Sequence, residues 1–438
     1  MHKILAGLAA VVSAFAFADF EGSYILPLDH AAIQYNTATV TNPVAGLQQR
    51  LREGTATLKF DGRHGYLNAV LKALNVPVSS QVLVYSKTSF QAPRISPRIP
   101  RALYFTDDVF VGWVPGGDVL EIASVDPRQG VVFYTMDQEA GPKPRIDRRD
   151  ECLQCHASGG TLGVPGLVVR SVYVEQSGMP LFHAGGFVTD HRSPLSQRWG
   201  GWYVTGTHGS QRHMGNVFVE DRDQPDNLDR EKGANVTDLK SRIDVENYLA
   251  PSSDIVALMV LEHQTRMTNL ITRVGWEARL ALSDQKAINQ ALKEPDDQIG
   301  DSTRRRIDNA AESLLKYTLF ADEVLIDAPV KGAAPFAKEF QEQGHRDHAG
   351  RSLRELDLTR RLFRYQCSFL IYSAAFDGLP VVVRDRFYRR LWEVLTGADQ
   401  TPLYARLTAA DRKSIYEILL DTKRDLPAYW RASQAGLK

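Results

Sequence analysis

Two of the chain's three cysteines, Cys152 and Cys155, stand three positions apart, and His156 directly follows the second. Thiols at this spacing on a helical turn present their sulfurs to one side, where they can add to the two vinyl groups of a porphyrin. The next residue then lies beneath the ring centre, and its imidazole can ligate the iron. The pattern reads as the attachment motif of one covalently bound haem c. Three other chemistries use similar residues. A thioredoxin-like redox pair belongs beside a βαβ pattern, which is not visible in this sequence. A zinc site needs more ligands; His183, His191, His208 and His213 are available, but no second compact ligand pair accompanies them. A disulfide across so short a span is strained.

The stretch "CLQCHASGGTLGVPGL", residues 152 to 167, resembles the attachment segment of class I cytochromes c. In that family a glycine-rich loop after the motif brings a proline near the histidine, and a carbonyl there holds its ring. The resemblance implies that Pro165 supports His156, fixing the tautomer that leaves the other nitrogen for iron. The remainder of the chain resembles secreted bacterial proteins that carry one such motif.

The sixth position of a haem iron decides much of what the haem does. One supply is "GGWYVTGTHGSQRHMGN", residues 200 to 216, with His208, His213 and Met214; the last follows His156 by 58 positions (214 − 156). His213 and Met214 are neighbours, so in an extended chain they point to opposite faces and only one can reach the iron. A second supply is His263, four residues from both Met259 and Met267 and thus on one helix face with them. That face is apolar, so His263 is equally a core histidine with a hydrogen-bonded partner. Buried propionates need cationic or amide partners; Arg170, Arg192, Arg198 and Arg212 are near in sequence, and Trp199 and Trp202 could cover a ring edge. Cys367, in "RYQCSFLIYSAAF", reads as a buried unreactive thiol in an apolar helix.

Strands must carry the motif. "VLVYSKTSF", "RALYFTDDVFVGWV", "VLEIASV" and "GVVFYTM" are β-branched and aromatic runs divided by Asp-Asp, Pro-Gly-Gly and Asp-Pro turns. They predict a meander leading straight to the Cys-His cluster. "GLVVRSVYVEQSGMPLFHAGGFV" predicts two further strands joined at Gly178. In "QAPRISPRIPR" three prolines oppose pairing, and Arg94, Arg98 and Arg101 make either a solvated loop or a docking strip for an acidic partner. "EDRDQPDNLDREKGANVTD" is polar and turn-rich and marks a boundary. Beyond Pro251, Ser252 or Ser253 can cap a helix on which Ile255, Met259, His263, Met267, Leu270 and Val274 recur at helical spacing. Amphipathic segments follow at 302–321, 353–376, 381–397 and 408–423. The expected fold class is α+β, with a β-rich haem-attachment domain over 19–235 and an α-helical domain over 236–438.

The chain opens "MHKILAGLAAVVSAFAFADF": a basic start, an apolar run from Ile4 to Phe17 and an A-x-A pattern at Ala16 and Ala18. This is the pattern of a secretory signal peptide over 1–18, with no membrane span expected in the mature chain. Lys plus Arg (52) balance Asp plus Glu (52), so no net field points to nucleic acid. The expectation is an exported, periplasmic monohaem c-type cytochrome that passes single electrons to a redox partner protein. A peroxidase-like haem enzyme with an open distal site, hinted at by Arg212-His213, and a haem-anchored protein-binding module are the alternatives. In a Gram-negative host the mature chain is expected to begin at Asp19, which N-terminal sequencing checks.

Overall fold

The computed structural model describes residues 24–432; the expected leader, 1–18, lies outside the described residues. Near the start come two helices, α1 (Pro43–Arg52) and α2 (Leu67–Ala73). Asn42 caps α1 by accepting from the Ala45 N–H, and Pro43 needs no partner at the first turn. A meander follows: β1 (Val82–Val84), β2 (Arg101–Phe105), β3 (Val109–Trp113), β4 (Val119–Asp126), β5 (Gly130–Asp137) and β6 (Asp147–Arg148). β6 leads directly into the short helix α3 (Leu153–His156). β7 (Arg170–Val172) and β8 (Gly186–Val188) form a separate antiparallel ribbon, and β9 (Trp202–Tyr203) adds to β1. The main sheet is antiparallel throughout, in the order β6-β5-β4-β3-β2-β1-β9. β10 (Gly206–Thr207) pairs with β11 (Lys331–Gly332).

The second half is helical: α4 (Ile255–Leu292), α5 (Asp301–Thr318), α6 (Phe336–Glu342), α7 (Ala374–Asp377), α8 (Val381–Thr396) and α9 (Ala409–Thr422). The architecture is therefore α+β, with a sheet-rich first half and helices in the second. Alternation along the strands sorts the sheet's side chains onto two faces. Tyr104, Val111, Leu120, Ile122 and Tyr134 pack with Val44, Leu47, Leu67 and Val70 of α1 and α2. Phe105, Phe110, Ala123, Val125, Val131 and Phe133 pack with Leu258, Leu261 and Val274 of α4 and onward to Leu314 and Phe387. Both faces being covered, β5 reads as a continuous apolar run, buried from Gly130 to Met136. The polar stretch after Glu220 is mostly exposed over 221–232 and forms neither helix nor strand. Side chains from before and after it share one hydrophobic cluster.

Neither Ser252 nor Ser253 caps α4; the cap is Asp254, two residues after Ser252 and one after Ser253. One Asp254 carboxylate oxygen accepts from the Val256 and Ala257 N–H groups, and the other accepts from Ala334 N–H at 2.8 Å. The Ser253 hydroxyl is engaged elsewhere: it donates to the Tyr203 carbonyl and accepts from Leu83 N–H, tying the helix start to the sheet edge. Residues 353–376 do not form the predicted long helix. Asp357 turns its side chain back onto the Thr359 and Arg360 N–H groups, a local bond that competes with helix, and regular structure returns only at 369–372 and α7. No helix among the described residues is long and apolar enough to cross a membrane. Asp254→Ala leaves two buried N–H groups and one half-buried N–H group without their acceptor. It is expected to lower unfolding free energy by about 2 kcal/mol, the upper end for a lost cap, measured by urea denaturation.

Candidate functional site

The Cys-x-x-Cys-His turn is built as an extension of the sheet. The pairing of β6 with β5 carries on through Arg149, whose N–H donates to the Phe133 carbonyl and whose Nε donates to Thr135 Oγ1. The chain then coils into a 3-10 turn over Asp150–Cys152 and into α3. Leu153, between the cysteines, packs against both hydrophobic clusters and anchors the turn. Cys152 is half-buried and Cys155 exposed; neither is in a disulfide. Burial, with Glu121 and Glu151 adding to it, pushes the Cys152 thiol up to about 11.

His156 ends the turn with its ring 4.7 Å from that of Phe133 on β5. Its Nδ1 lies 2.9 Å from the Gly166 carbonyl, and its own carbonyl accepts from Gly166 N–H, also at 2.9 Å. A carbonyl can only accept, so the ring proton is on Nδ1 and the lone pair is on Nε2. Nε2 makes no hydrogen bond among the described residues. Burial pulls the ring's pKa below its ordinary value, against the bond to Gly166, and keeps it neutral.

The loop that supplies Gly166 is fixed at several points. Ser158 and Thr161 bond reciprocally, side chain to backbone. Leu162 and Gly163 then take left-handed backbone (φ 59° and 69°), reversing the chain. The bond to His156 comes from Gly166 rather than Pro165, whose carbonyl instead accepts from Val131 N–H on β5. Pro165 therefore sits one residue from the orienting carbonyl and pins the loop to the sheet.

Beside the turn, the upper part of the same sheet face carries charge. Arg101 on β2 reaches across β3 to pair with Glu121 on β4. Glu121 also accepts from Ser89 and Gln91. Although burial acts to raise its pKa, Arg101 and these bonds hold the carboxyl below its ordinary value. Arg101 Nε, buried as well, has no hydrogen-bond partner among the described residues. Both charges act on His156. In the sequence Arg101 reads only as part of the arginine strip of a proline-rich stretch and Glu121 as one polar residue in a strand; the cross-strand register brings them together.

None of the four candidates for a second axial ligand is in hydrogen-bond or ring contact with His156. His213 Nδ1 accepts from Gly215 N–H at 3.0 Å, so its proton sits on Nε2, buried without an acceptor. Burial and neighbouring His208 bring its pKa down to about 3. Met214 is buried, its sulfur accepting from the Ser171 hydroxyl. His263 lies inside α4's contacts with both nitrogens engaged, one with His191 Nδ1 at 2.9 Å and the other with Ser368 Oγ at 2.8 Å. His208 is likewise spent, on the Gln211 carbonyl and Asn235 N–H. Of the arginines considered for propionates, Arg192 pairs with Asp190, Arg198 with Glu262 and Arg212 with Glu231, while Arg170 is exposed. Trp199 is fully buried with its ring against His213, and Trp202 Nε1 donates to the Arg170 carbonyl. Arg94 pairs with Asp118 and Arg98 donates to the carbonyls of Ser241 and Arg242, so the arginines of the proline-rich stretch are turned to separate tasks. Cys367 is buried, its thiol pushed up to about 12 by burial, in irregular chain ahead of the 369–372 turn.

No protein-family model matches the sequence, and no curated protein or solved structure proved similar to it.

Burial brings His263 down to about 3, against about 6.5 in an unfolded chain. Between these values the unfolded state takes up a proton that the folded state does not, so stability is lost as pH falls through the window. His263→Gln removes this proton uptake. The stability advantage of wild type over the variant is expected to shrink by about 1.4 kcal/mol per pH unit below 6.5, checked by urea denaturation at pH 7 and pH 5.

Proposed function

We propose that this chain is an exported monohaem c-type cytochrome that passes single electrons to a redox partner protein. Cys152 and Cys155 would hold the haem as thioethers, and His156 would ligate its iron through Nε2. The observation that carries this reading is the reciprocal bonding of His156 and Gly166, which puts the ring proton on Nδ1 and leaves a neutral Nε2 without a partner among the described residues. Two free thiols stand on the same turn. When bound, such a haem supplies a one-electron iron couple in a fixed ring.

The chain's own residues do the rest. Leu153 roots the turn in the core, the Gly166 carbonyl orients the imidazole, and Phe133 lies against it. The Arg101–Glu121 pair gives the neighbouring sheet face a balanced charge, and Arg101 keeps a donor to spare. Exposure of Cys155 places the turn at the surface, which suits transfer to a partner across a short gap.

A haem enzyme with an open sixth position is the second reading. It is favoured by the state of the candidate ligands: His213 carries its proton on the nitrogen that would have to bind, and both nitrogens of His263 are engaged.

Produced in a periplasm with haem-maturation machinery, the protein is expected to keep its haem through acid–acetone extraction and denaturing gels. Cys152→Ala or Cys155→Ala weakens that retention and the double variant abolishes it. Stoichiometric zinc without covalent haem in the wild type overturns the reading. A low-spin spectrum closed to carbon monoxide supports electron transfer; a high-spin iron that binds cyanide readily moves the preference to the enzyme.

A further inference from the structure

We infer that Asn269, on α4, is a positioning residue for His156, through which the helical half of the chain sets the strength of the axial imidazole; this rests on the haem reading above. The side-chain amide of Asn269 grips a single residue of the motif loop. Its Oδ1 accepts from Leu167 N–H at 3.0 Å and its Nδ2 donates to the Leu167 carbonyl at 2.7 Å. Asn269 is 1% exposed, so water does not compete for these bonds.

Leu167 follows Gly166, whose carbonyl orients His156. The peptide group joining them contains both that carbonyl and the N–H held by Asn269, and peptide groups are planar. Fixing the N–H therefore fixes the direction of the carbonyl oxygen that accepts from Nδ1. The loop is built to admit the amide: a Cβ on Gly166 would stand 2.2 Å from Asn269 Oδ1 and 2.7 Å from Cγ. On the other side of Gly166, the Pro165 carbonyl is tied to Val131 N–H. One turn further along α4, Arg273 donates from Nη1 to the Leu162 carbonyl at 3.0 Å and braces the start of the same loop. Sheet and helix thus hold the orienting carbonyl from both sides, and among the described residues only Asn269 bonds to the N–H of the peptide group that contains it.

A shorter, straighter Nδ1–H···O=C bond makes an imidazole a better electron donor to a metal and favours the ferric state. Loosening the carbonyl should act in reverse. Asn269→Leu keeps the approximate volume and removes both bonds; Asn269→Asp keeps the acceptor for Leu167 N–H but sets an oxygen against the Leu167 carbonyl. The experiment uses the purified haem-loaded protein, with haem retention on denaturing gels and thermal unfolding by circular dichroism recorded first. The expected result for Asn269→Leu is unchanged covalent haem, a midpoint potential shifted upward and faster solvent exchange of the His156 Nδ1 proton by NMR. Asn269→Asp, which retains the bond to Leu167 N–H, is expected to stay nearer wild type in both readouts. Haem-loaded variants that fold and show wild-type potential and exchange overturn the inference. If Asn269→Leu does not fold, Asn269→Ala, which also removes both bonds, decides on the same two readouts: an upward shift of potential with faster exchange supports the role, and identity with wild type overturns it. A wild type without covalent haem removes the underlying reading instead, and is seen before any variant is compared.

Discussion

From Ile255 to Ala278 every residue of α4 is buried, so the helix has no face to give to water. A helix enclosed on all sides must find a partner for each polar side chain it carries, because an unpaired polar group in such a place costs several kcal/mol. α4 carries many: Glu262 pairs with Arg198, His263 with His191 and Ser368, Gln264 with the Thr106 carbonyl, and Asn269 with Leu167. Almost all these partners lie before the helix in sequence. The requirement to satisfy them fixes how the strands, the motif loop and the segment around Trp199 sit against α4, and the shared hydrophobic cluster fills what remains.

The parts of the fold that were legible in the sequence are those whose signals are local. The meander from Arg101 to Asp137 alternates β-branched and aromatic residues between Asp-Asp, Gly-Gly and Asp-Pro turns, and its strands form where these signals put them. α8 and α9 follow their amphipathic pattern closely. α1 has a local signature too, Asn42 before Pro43, but it is short and lies among strand-forming stretches. The segment 353–376 misleads for a physical reason. Its apolar residues recur at helical spacing because it is folded into the core, where Leu362, Phe363 and Phe369 are buried, while Asp357 and Ser368 divert the backbone into turns.

The candidate site divides in the same way. Cys152, Cys155 and His156 are close in sequence, so their common turn could be read directly. The carbonyl expected near Pro165 is that of the next residue, Gly166, since the Pro165 carbonyl is drawn to Val131 by strand-like pairing. Arg101, Glu121, Phe133 and Asn269 reach the turn only through strand register and helix packing. His213, Met214 and His263 drew attention as ligand types. Sequence does not show which of a histidine's nitrogens its neighbours have already taken, and that is what separates His156 from His213 and His263.

His156 precedes Asn269 by 113 positions (269 − 156), so the turn and its brace belong to different moments in the life of the chain. A polypeptide threaded through a membrane from its first residue delivers the cysteines and the glycine-rich loop well before the helix that will hold them. In that interval the loop has no amide from Asn269 to grip it and no Arg273 beneath its start. On the proposed reading, the enzymes of haem attachment meet a pliable strip of chain rather than a finished socket, and later docking of α4 closes the socket around a group already joined. On that reading, the wide separation of motif and brace would let covalent chemistry run ahead of packing.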